Sequence, residues 1–337
     1  MKEINSLKVN LVAKIINEKI LVTISGYYER FQINTMESCL KRAKYPERIS
    51  FAIAHHEDHN VDTSQMSNRV SKYLIPKGDK IGVQKPKHML SIMMKDEDYL
   101  LSIDSHVIMM QDWDEYLIND YKDRVLNAEN KNIVISGNFG NSVQVGDLDY
   151  QHCLENYFNN DNFFKDIETN IMNEYIIDGD PLRVESSSDY YEIVLNKVPY
   201  LTHSNPEQMP TITNIYSGNF SFYPRSWFDN GYNFSKEMFF SADQPETAMN
   251  IYTSGYDIYM PRYKYHIHMV DHSTTRAGIA TEFEGIEVAT NRYFDIEKDY
   301  AGIMWFKERI KLGYNDNRPR TVKDFFDFFN LDTELYL

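Results

Sequence analysis

Short apolar runs alternate with longer helical patterns through the first 140 residues, and this alternation constrains the fold more than any other feature of the sequence. The runs are rich in Ile, Val, Leu and Ala, and the segments between them have the spacing typical of helices. Short apolar strands joined by helices predict an α/β fold with a mostly parallel central sheet and helices on both faces. The predicted strands are residues 20–25, 49–54, 99–103 and 133–136, and the predicted helices are residues 34–44, 87–94 and 112–127.

Regular patterns continue in the second half of the chain after an irregular stretch. Residues 140–210 are rich in Asn, Asp, Ser and Tyr and have no sustained period, which predicts an insertion or an acceptor-side lobe. A strand is then predicted at 216–222, a helix at 243–253, a strand at 256–261 and two outer helices within 294–337, one of them carrying Trp305 and Phe306.

The composition constrains the cellular compartment and the binding partners of the chain. Cys39 and Cys153 are far apart, so a disulfide framework is improbable, and no apolar run reaches the roughly 18 residues that span a bilayer. We therefore expect a cytoplasmic protein with no membrane partner. The net charge of 35 − 50 = −15 argues against non-specific attraction to duplex nucleic acid.

Several common enzyme motifs are missing. The chain has no Gly-x-Gly-x-x-Gly, no Walker A sequence and no Gly-x-Ser-x-Gly, so the dehydrogenase, P-loop and α/β-hydrolase readings lack their required parts. The histidines at 55, 56 and 59 do not form a zinc protease motif, because the second His counted from His56 would have to stand at Asn60. This loop either lines a nucleotide pocket or is a solvated turn.

The most informative pair of residues is Asp104 and His106, which follow the predicted strand at 99–103. In open α/β sheets, ligands bind beyond the carboxyl ends of the strands. Two side chains at this spacing can face one divalent cation, and a carboxylate with an imidazole suits Mn²⁺, which could clamp a diphosphate. The alternative is an N-cap Asp with a surface His.

Three further segments carry polar groups with competing interpretations. Asp112 followed by Glu115 has capping-box character, and Trp113 between them is predicted to be core. Asp243 begins a helix after an aromatic run and, on its own, is an N-cap. His266 and His268 alternate on a strand, so they share a face and either supply a third metal ligand or are structural.

Several segments taken together resemble the polypeptide N-acetylglucosaminyltransferase family that glycosylates hydroxyproline or threonine, which is a GT-A type glycosyltransferase family. The ordered set covers most of the chain between residues 20 and 268, apart from the irregular middle. The matching segments are residues 20–27, 43–49, 101–106, 113–114, 252–261 and His268.

The resemblance implies a GT-A, Rossmann-like nucleotide-diphospho-sugar transferase fold and a reaction. The reaction is transfer of a sugar from a UDP-sugar to an acceptor hydroxyl with retention of configuration. The implied parts are an extension at 1–18, a nucleotide-sugar-binding half at 19–139, the irregular lobe at 140–210, an acceptor-side half at 211–272 and a helical extension at 273–337.

The resemblance also implies roles for individual residues. Asp104 and His106 would hold Mn²⁺ or Mg²⁺ at the donor diphosphate, and His268, with His266 second, would complete the metal site. Lys87 would assist as a point charge, and Asp243 would orient the acceptor or stabilise positive charge at C1 of the sugar. The residues implied to contact the nucleoside are Thr23, Ser25, Tyr27 and Glu29.

The chain departs from the family pattern at three places. Gly26-Tyr27-Tyr28-Glu29 stands where the family has Ser-Tyr-Arg-Asp, Lys87 stands in place of an arginine, and Asp243 in place of a glutamate. A lysine lacks the bidentate geometry of arginine. These changes leave the sugar and the acceptor open.

Three acceptor classes therefore compete: a protein hydroxyl, a glycan, and a hydroxymethylated pyrimidine in DNA acted on by a phage-type enzyme. The acidic net charge disfavours DNA, although a basic strip could contact phosphates. A further alternative is a catalytically idle binding protein with the same fold. The strip consists of Lys72, Lys77, Lys80, Lys85 and Lys87.

Overall fold

The computed structural model describes residues 18–137, 141–144, 150–160, 212–213, 216–240, 242–263, 265–270, 295–314, 316–331 and 333. Nearly all of the predicted extension at 1–18, most of the irregular lobe at 140–210 and the first part of the extension at 273–337 lie outside these residues. The strands are β1 (Ile20–Ser25), β2 (Ile49–His56), β3 (Val70–Ile75), β4 (Tyr99–Asp104), β5 (Val107–Met109), β6 (Ile133–Ser136), β7 (Asn141–Gln144), β8 (Ile212–Thr213), β9 (Phe220–Pro224), β10 (Asp257–Tyr259) and β11 (His266–Val270). The α-helices are α1 (Gln32–Arg42), α2 (Gln84–Ser91), α3 (Trp113–Asn127), α4 (Tyr150–Cys153), α5 (Arg225–Asp229), α6 (Asp243–Thr253), α7 (Ile296–Leu312) and α8 (Val322–Phe328).

An eight-stranded sheet forms the centre of the molecule, in the order β3-β2-β1-β4-β9-β6-β10-β8. Strands β3, β2, β1 and β4 are parallel neighbours, and β10 is parallel to β6. Strand β9 lies antiparallel between β4 and β6, and β8 is antiparallel to β10. The predicted α/β fold with a mostly parallel central sheet is confirmed.

Alternate side chains of the strands pack into two hydrophobic layers, one on each face of the sheet. On β1, Ile20, Val22 and Ile24 pack with Trp113 of α3 in one layer, together with residues of α1. Leu21 faces the other way and packs in a layer that includes Phe306 of α7 and residues of α2, α6 and α8. Strands buried on both faces read as continuous apolar runs, which explains why β1, β2 and β4 were visible in the sequence.

Within the first 140 residues, the predicted alternation misses one strand of the central sheet. Strand β3 is parallel to β2, yet the connection between them contains a short 3₁₀ helix at Ser64–Arg69 instead of an α-helix. Strand β3 lies at the sheet edge and is only partly buried, so its sequence lacks the apolar character of the central strands.

The capping box predicted at Asp112 is wrong. Asp112 has a left-handed backbone with φ of 56°, and its carboxylate makes no capping bond to helix α3. It accepts instead from Gln111 Nε2 at 2.9 Å, and its own N–H donates to the Arg42 carbonyl at 2.7 Å. The predicted core position of Trp113 is confirmed, because its ring is fully buried and its Nε1 donates to the Cys39 carbonyl at 3.0 Å.

A second, three-stranded sheet in the order β5-β11-β7 lies beyond the end of β4. Strand β11 is antiparallel to β5, and His268 stands opposite Val107 in the register. The small sheet therefore places His268 beside His106, although 162 residues separate them. Within the described part of the chain, no helix combines the length and hydropathy needed to cross a membrane.

Candidate active site

The candidate site lies at the carboxyl end of β4, where the chain leaves the central sheet. Asp104 ends β4 and stands opposite Ser25 of β1 in the register. The turn that follows is anchored by Thr35 of α1, whose hydroxyl donates to the Ser105 carbonyl and accepts from the Val107 N–H, both at 3.0 Å. These contacts fix the turn that carries His106.

Asp104, His106 and His268 come together at this turn. His106 Nε2 lies 2.8 Å from His268 Nε2, and Asp104 Oδ2 lies 3.2 Å from His268 Nε2 and 3.9 Å from His106 Nε2. Within the described ranges, these residues are the one group of three or more His, Cys, Asp or Glu side chains whose ligand atoms lie within 4.8 Å of one another. One carboxylate oxygen and two imidazole nitrogens are a donor set that fits Mn²⁺.

The Asp104 carboxylate is held in its charged form. Burial alone would raise its pKa, but the hydrogen bond with His268 and the electrostatic interactions with His106, His268 and Lys87 outweigh burial, so the pKa of Asp104 lies well below its usual range. About a third of the Asp104 side chain remains exposed, at 35%. The carboxylate is therefore both ionised and accessible.

A buried ammonium group flanks the carboxylate. Lys87 of α2 is buried, and its Nζ donates to the Gly218 carbonyl at 3.1 Å. Burial alone would lower its pKa, but Tyr216, Asp243 and Asp104 act in the opposite direction, so the Lys87 pKa is raised. Lys87 therefore stays cationic in the interior.

Asp243 begins helix α6 on the other side of Gly218. Gln84 Nε2 donates to its Oδ2 at 3.4 Å and to Thr247 Oγ1 at 2.9 Å. Burial raises the pKa of Asp243 to about 6, although Lys87 and the hydrogen bonds lower it. The N-cap position of α6 is Ala242, and Asp243 is the first helical residue, with the Gln244 backbone N–H bonded to its carboxylate.

Gly218 lies close to both of these charged groups. A Cβ atom at this position would lie 3.2 Å from Lys87 Nζ and 3.8 Å from Asp243 Oδ2. The next residue, Asn219, accepts a hydrogen bond from the Asp104 N–H at 3.3 Å. The segment before β9 therefore links the Asp104 end of the site to the Lys87 and Asp243 end.

The four residues predicted to contact a nucleoside occupy different environments. Thr23 is buried inside the sheet and its hydroxyl faces the Leu101 carbonyl at 3.5 Å, whereas Ser25 is half-buried at the strand end. Tyr27 is half-buried with its ring edge-on to His56 at 4.3 Å. Glu29 is buried, and its Oε2 lies 3.3 Å from His106 Nδ1.

The histidine-rich segment predicted as a loop is not a fully solvated turn, because β2 extends through His55 and His56. His55 and His56 are buried, and the His56 ring is stacked on Tyr28 at 4.4 Å. His266, the second candidate for the third metal ligand, is also buried and is stacked on Phe220 at 5.0 Å, outside the Asp104 group. Burial lowers its pKa to about 3.

The lysines of the proposed basic strip do not share one free surface. Lys87 lies in the interior. Lys72 Nζ donates to the Val61 carbonyl at 2.9 Å, and Lys77 Nζ lies 3.7 Å from an Asp58 carboxylate oxygen. Lys87 therefore does not contribute to a basic surface, and Lys77 has an acidic neighbour.

Two residues next to Asp243 and Lys87 were not recognised in the sequence, namely Gln84 and Gly218. The predicted helix begins at Lys87, whereas α2 begins at Gln84. Gln84 and Lys87 are three residues apart, so they lie next to each other on the surface of α2. Gly218 lies in a Ser-Gly-Asn sequence before β9, which is a turn signal without any specific chemistry.

No protein-family model matches the chain, and comparison with curated protein sequences gives no match. Among solved structures, it is similar to a crystal structure of S. aureus TarS 1–349 in complex with UDP-GlcNAc, with a TM-score of 0.47 and 13% identity over 89% of this chain and 68% of that one. For TarS 1–349 in complex with UDP, the TM-score is 0.40 at 13% identity, over 87% and 72%. For a third TarS structure, the TM-score is 0.40 at 13% identity, over 87% and 44%.

Proposed function

We propose that this chain is a metal-dependent glycosyltransferase of the GT-A type, which moves a sugar from a UDP-sugar to an acceptor hydroxyl with retention of configuration. The observation that carries the proposal is the meeting of Asp104, His106 and His268 at the carboxyl end of β4, with a buried ammonium on the same side. A diphosphate leaving group needs this combination of a cation site and a fixed positive charge.

Asp104, His106 and His268 would hold Mn²⁺ or Mg²⁺. The bound cation would act as a Lewis acid that neutralises charge on the departing diphosphate. The residues of the chain then have separate tasks. Lys87 adds a fixed positive charge, and its ammonium carries three donors, of which one contacts Gly218.

Asp243 serves the sugar end of the donor in this proposal. Glycosyl transfer passes through a state with oxocarbenium character at C1, so a carboxylate close to that carbon stabilises the positive charge or orients the acceptor hydroxyl. Gln84 and Thr247 hold the Asp243 side of the site, and the missing side chain at Gly218 lets Lys87 Nζ lie close to the backbone between them.

The test is a donor-hydrolysis screen over UDP-, GDP- and CMP-sugars with and without Mn²⁺. We expect turnover of a UDP-sugar that needs the metal and is lost in Asp104→Ala. Asp96→Ala is the matched control, because Asp96 is an exposed aspartate just before β4 whose surface ion pair with Lys19 contributes little. Metal-independent turnover, or full activity in Asp104→Ala, would contradict the proposal.

The acceptor is tested with the donor that is hydrolysed. A peptide with threonine or hydroxyproline, an oligosaccharide and a DNA duplex with hydroxymethylated pyrimidines represent the three acceptor classes, and NMR of the product reports the anomeric configuration. Saturable metal-dependent donor binding without hydrolysis or transfer would instead indicate the idle binding protein.

A further inference from the structure

We propose that Glu29 is a positioning residue for the metal site, which holds His106 in the tautomer that directs the Nε2 lone pair toward Asp104 and His268. The inference rests on the proposed function, because it assigns Glu29 to the metal ligand His106. It replaces the nucleoside contact that the family resemblance implied for Glu29.

The geometry places Glu29 behind His106, as seen from the other two ligands. Glu29 Oε2 lies 3.3 Å from His106 Nδ1, while His106 Nε2 faces His268 Nε2 at 2.8 Å. The side chains of Glu29 and His106 are 2% and 4% exposed, so water does not screen this contact. One ring nitrogen therefore faces a buried carboxylate and the other faces the candidate metal ligands.

The chemistry of the contact selects the tautomer. A carboxylate oxygen that accepts a hydrogen bond from Nδ1 places the ring proton on that nitrogen, so Nε2 keeps its lone pair. His268 Nε2–H then donates toward His106 Nε2 and Asp104 Oδ2, which accounts for the 2.8 Å and 3.2 Å contacts with one proton. Carboxylates that accept from the second nitrogen of a metal-binding histidine orient the ring and increase its basicity.

A strained turn brings Glu29 to this position. Tyr28 has a left-handed backbone with φ of 50°, which is unfavourable for a bulky residue. Its ring is stacked on His56 at 4.4 Å, and its hydroxyl donates to Asp58 Oδ1 at 2.6 Å. Such a conformation persists where neighbouring contacts determine it, and these contacts turn the next residue toward the interior.

The backbone of Glu29 is fixed as well. The Nε2 atom of His59 lies 3.2 Å from the Glu29 carbonyl, which ties the turn to the loop after β2. Through its contacts with Tyr28 and Glu29, the histidine-rich loop therefore supports the orientation of His106.

The first measurement needs no metal. ¹⁵N NMR of the full chain, labelled at histidine and kept metal-free, distinguishes a ring protonated at Nδ1 from one protonated at Nε2, and the spectrum of His106→Gln assigns the signal. We expect His106 to carry its proton on Nδ1 in the unsubstituted protein and to shift toward the Nε2–H form in Glu29→Leu. An unchanged tautomer in Glu29→Leu would overturn the inference.

The second measurement is the affinity for Mn²⁺ alone, by isothermal titration. We expect Glu29→Leu to bind Mn²⁺ roughly 10- to 100-fold more weakly, as is usual for loss of such a partner. Glu29→Gln should lose less, because its amide oxygen still accepts from Nδ1, and it provides the readout if Glu29→Leu does not fold. Glu57→Gln, an exposed glutamate in the same loop region, is the control and should bind as the unsubstituted protein does.

The two measurements separate failure of the inference from failure of the proposed function. Mn²⁺ affinity in both Glu29 variants within twofold of the unsubstituted protein would overturn the role of Glu29 and leave the metal site intact. Mn²⁺ binding that is absent, or unaffected by His268→Ala, would overturn the metal site, and the metal-free NMR signal would still decide whether Glu29 sets the tautomer of His106.

Discussion

Two aspartates at the candidate site have pKa values that move in opposite directions. Burial raises the pKa of Asp243 to about 6, whereas the His268 hydrogen bond and neighbouring positive charges lower that of Asp104 in spite of burial. Divergent environments of this kind assign different tasks to chemically similar groups. These environments support the proposed roles, in which Asp104 holds the cation and Asp243 takes part in a step that depends on its protonation state.

The Asp243 assignment predicts an acidic limb in the rate profile. Its carboxylate is the active form, so kcat for donor hydrolysis at saturating Mn²⁺ should fall as the pH drops through about 6. Asp243→Asn should lower kcat by roughly 100-fold and remove this limb. Mn²⁺ affinity serves as the control and should stay unchanged in the variant. Wild-type kcat in Asp243→Asn would contradict the assignment.

The buried ammonium of Lys87 predicts a loss of nucleotide affinity on removal of its charge. Lys87→Met keeps most of the side-chain volume but cannot donate to a phosphate, and a hydrogen bond to a charged group contributes about 1.5–3 kcal/mol. We therefore expect the Kd for UDP with Mn²⁺, measured by isothermal titration, to rise by about 10- to 100-fold.

Lys85→Met is the matched control for Lys87→Met, because Lys85 lies on the same helix two residues earlier and is exposed. Equal effects of the two substitutions would show that only general charge matters. That result would remove Lys87 from the site.

At the scale of elements, one buried carboxylate joins helix α3 to the end of α1. Asp114 in the first turn of α3 accepts from the backbone N–H groups of Lys44 and Tyr45 at 2.6 Å and 3.1 Å and pairs with Arg48 Nη2 at 2.7 Å. Both partners of the ion pair are buried, at 0% and 1% exposure. The Asp114 carboxylate therefore accepts hydrogen bonds from the backbone N–H groups that follow α1.

Asp114→Ala should destabilise the protein by about 3–5 kcal/mol, because it leaves Arg48 as an unpaired buried charge. Urea denaturation monitored by circular dichroism measures this change in the free energy of unfolding. Glu115→Ala, at the neighbouring position of the same helix, should cost much less, since Glu115 is partly exposed and its side-chain hydrogen bond with Tyr45 is long at 3.5 Å. Equal losses in the two variants would contradict the prediction.

The sequence predicts well those elements whose signal lies in their own residues. Strands β1, β2 and β4 are apolar on both faces and stand out in the sequence, whereas β5, β9 and β11 owe their places to pairing with distant segments. A strand is predicted at 216–222, but nothing in its own residues indicates that it lies antiparallel between β4 and β6. The central sheet was therefore predictable and its complete order was not.

The same distinction applies to the candidate site. Asp104 and His106 follow one strand, so their proximity could be predicted from spacing, whereas His268 was assigned through the family resemblance. The contact of Glu29 with His106 depends on the left-handed backbone of Tyr28, which a tyrosine rarely adopts. Spacing in the sequence carries no information about that turn.

At the scale of the whole molecule, the C-terminal segment is fastened to helix α6 and thereby to the side of the site that carries Asp243. Arg318 Nη1 bonds to the Asn250 carbonyl at 3.0 Å and to Thr253 Oγ1 at 2.7 Å. Arg320 Nη1 pairs with Asp257 Oδ1 at 2.6 Å. The tail is thus part of the folded core that holds α6.

Glu246, one turn after Asp243, makes the attachment of the C-terminal segment to α6 sensitive to pH. The carboxylate is fully buried, and its Oε1 accepts from Ser235 Oγ at 2.6 Å and from Tyr314 OH at 2.8 Å. Burial raises its pKa from 4.5 to about 7, although Ser235, Tyr314 and Arg318 lower it. Between these two pH values the folded chain binds more protons at Glu246 than the unfolded chain does. The contribution of this group to stability is therefore complete below pH 4.5 and is lost as the pH rises through about 7.

Glu246→Gln should remove this dependence, because its amide oxygen still accepts from Ser235 and Tyr314 but carries no charge to desolvate. We expect the difference in the free energy of unfolding between variant and wild type to move in favour of the variant by about 1–3 kcal/mol from pH 5 to pH 8. Urea denaturation at both pH values measures it, and the exposed Glu237→Gln is the control, with the same difference at both. A difference that does not change with pH would mean that Glu246 stays charged in the fold between pH 5 and pH 8, and it would contradict the prediction.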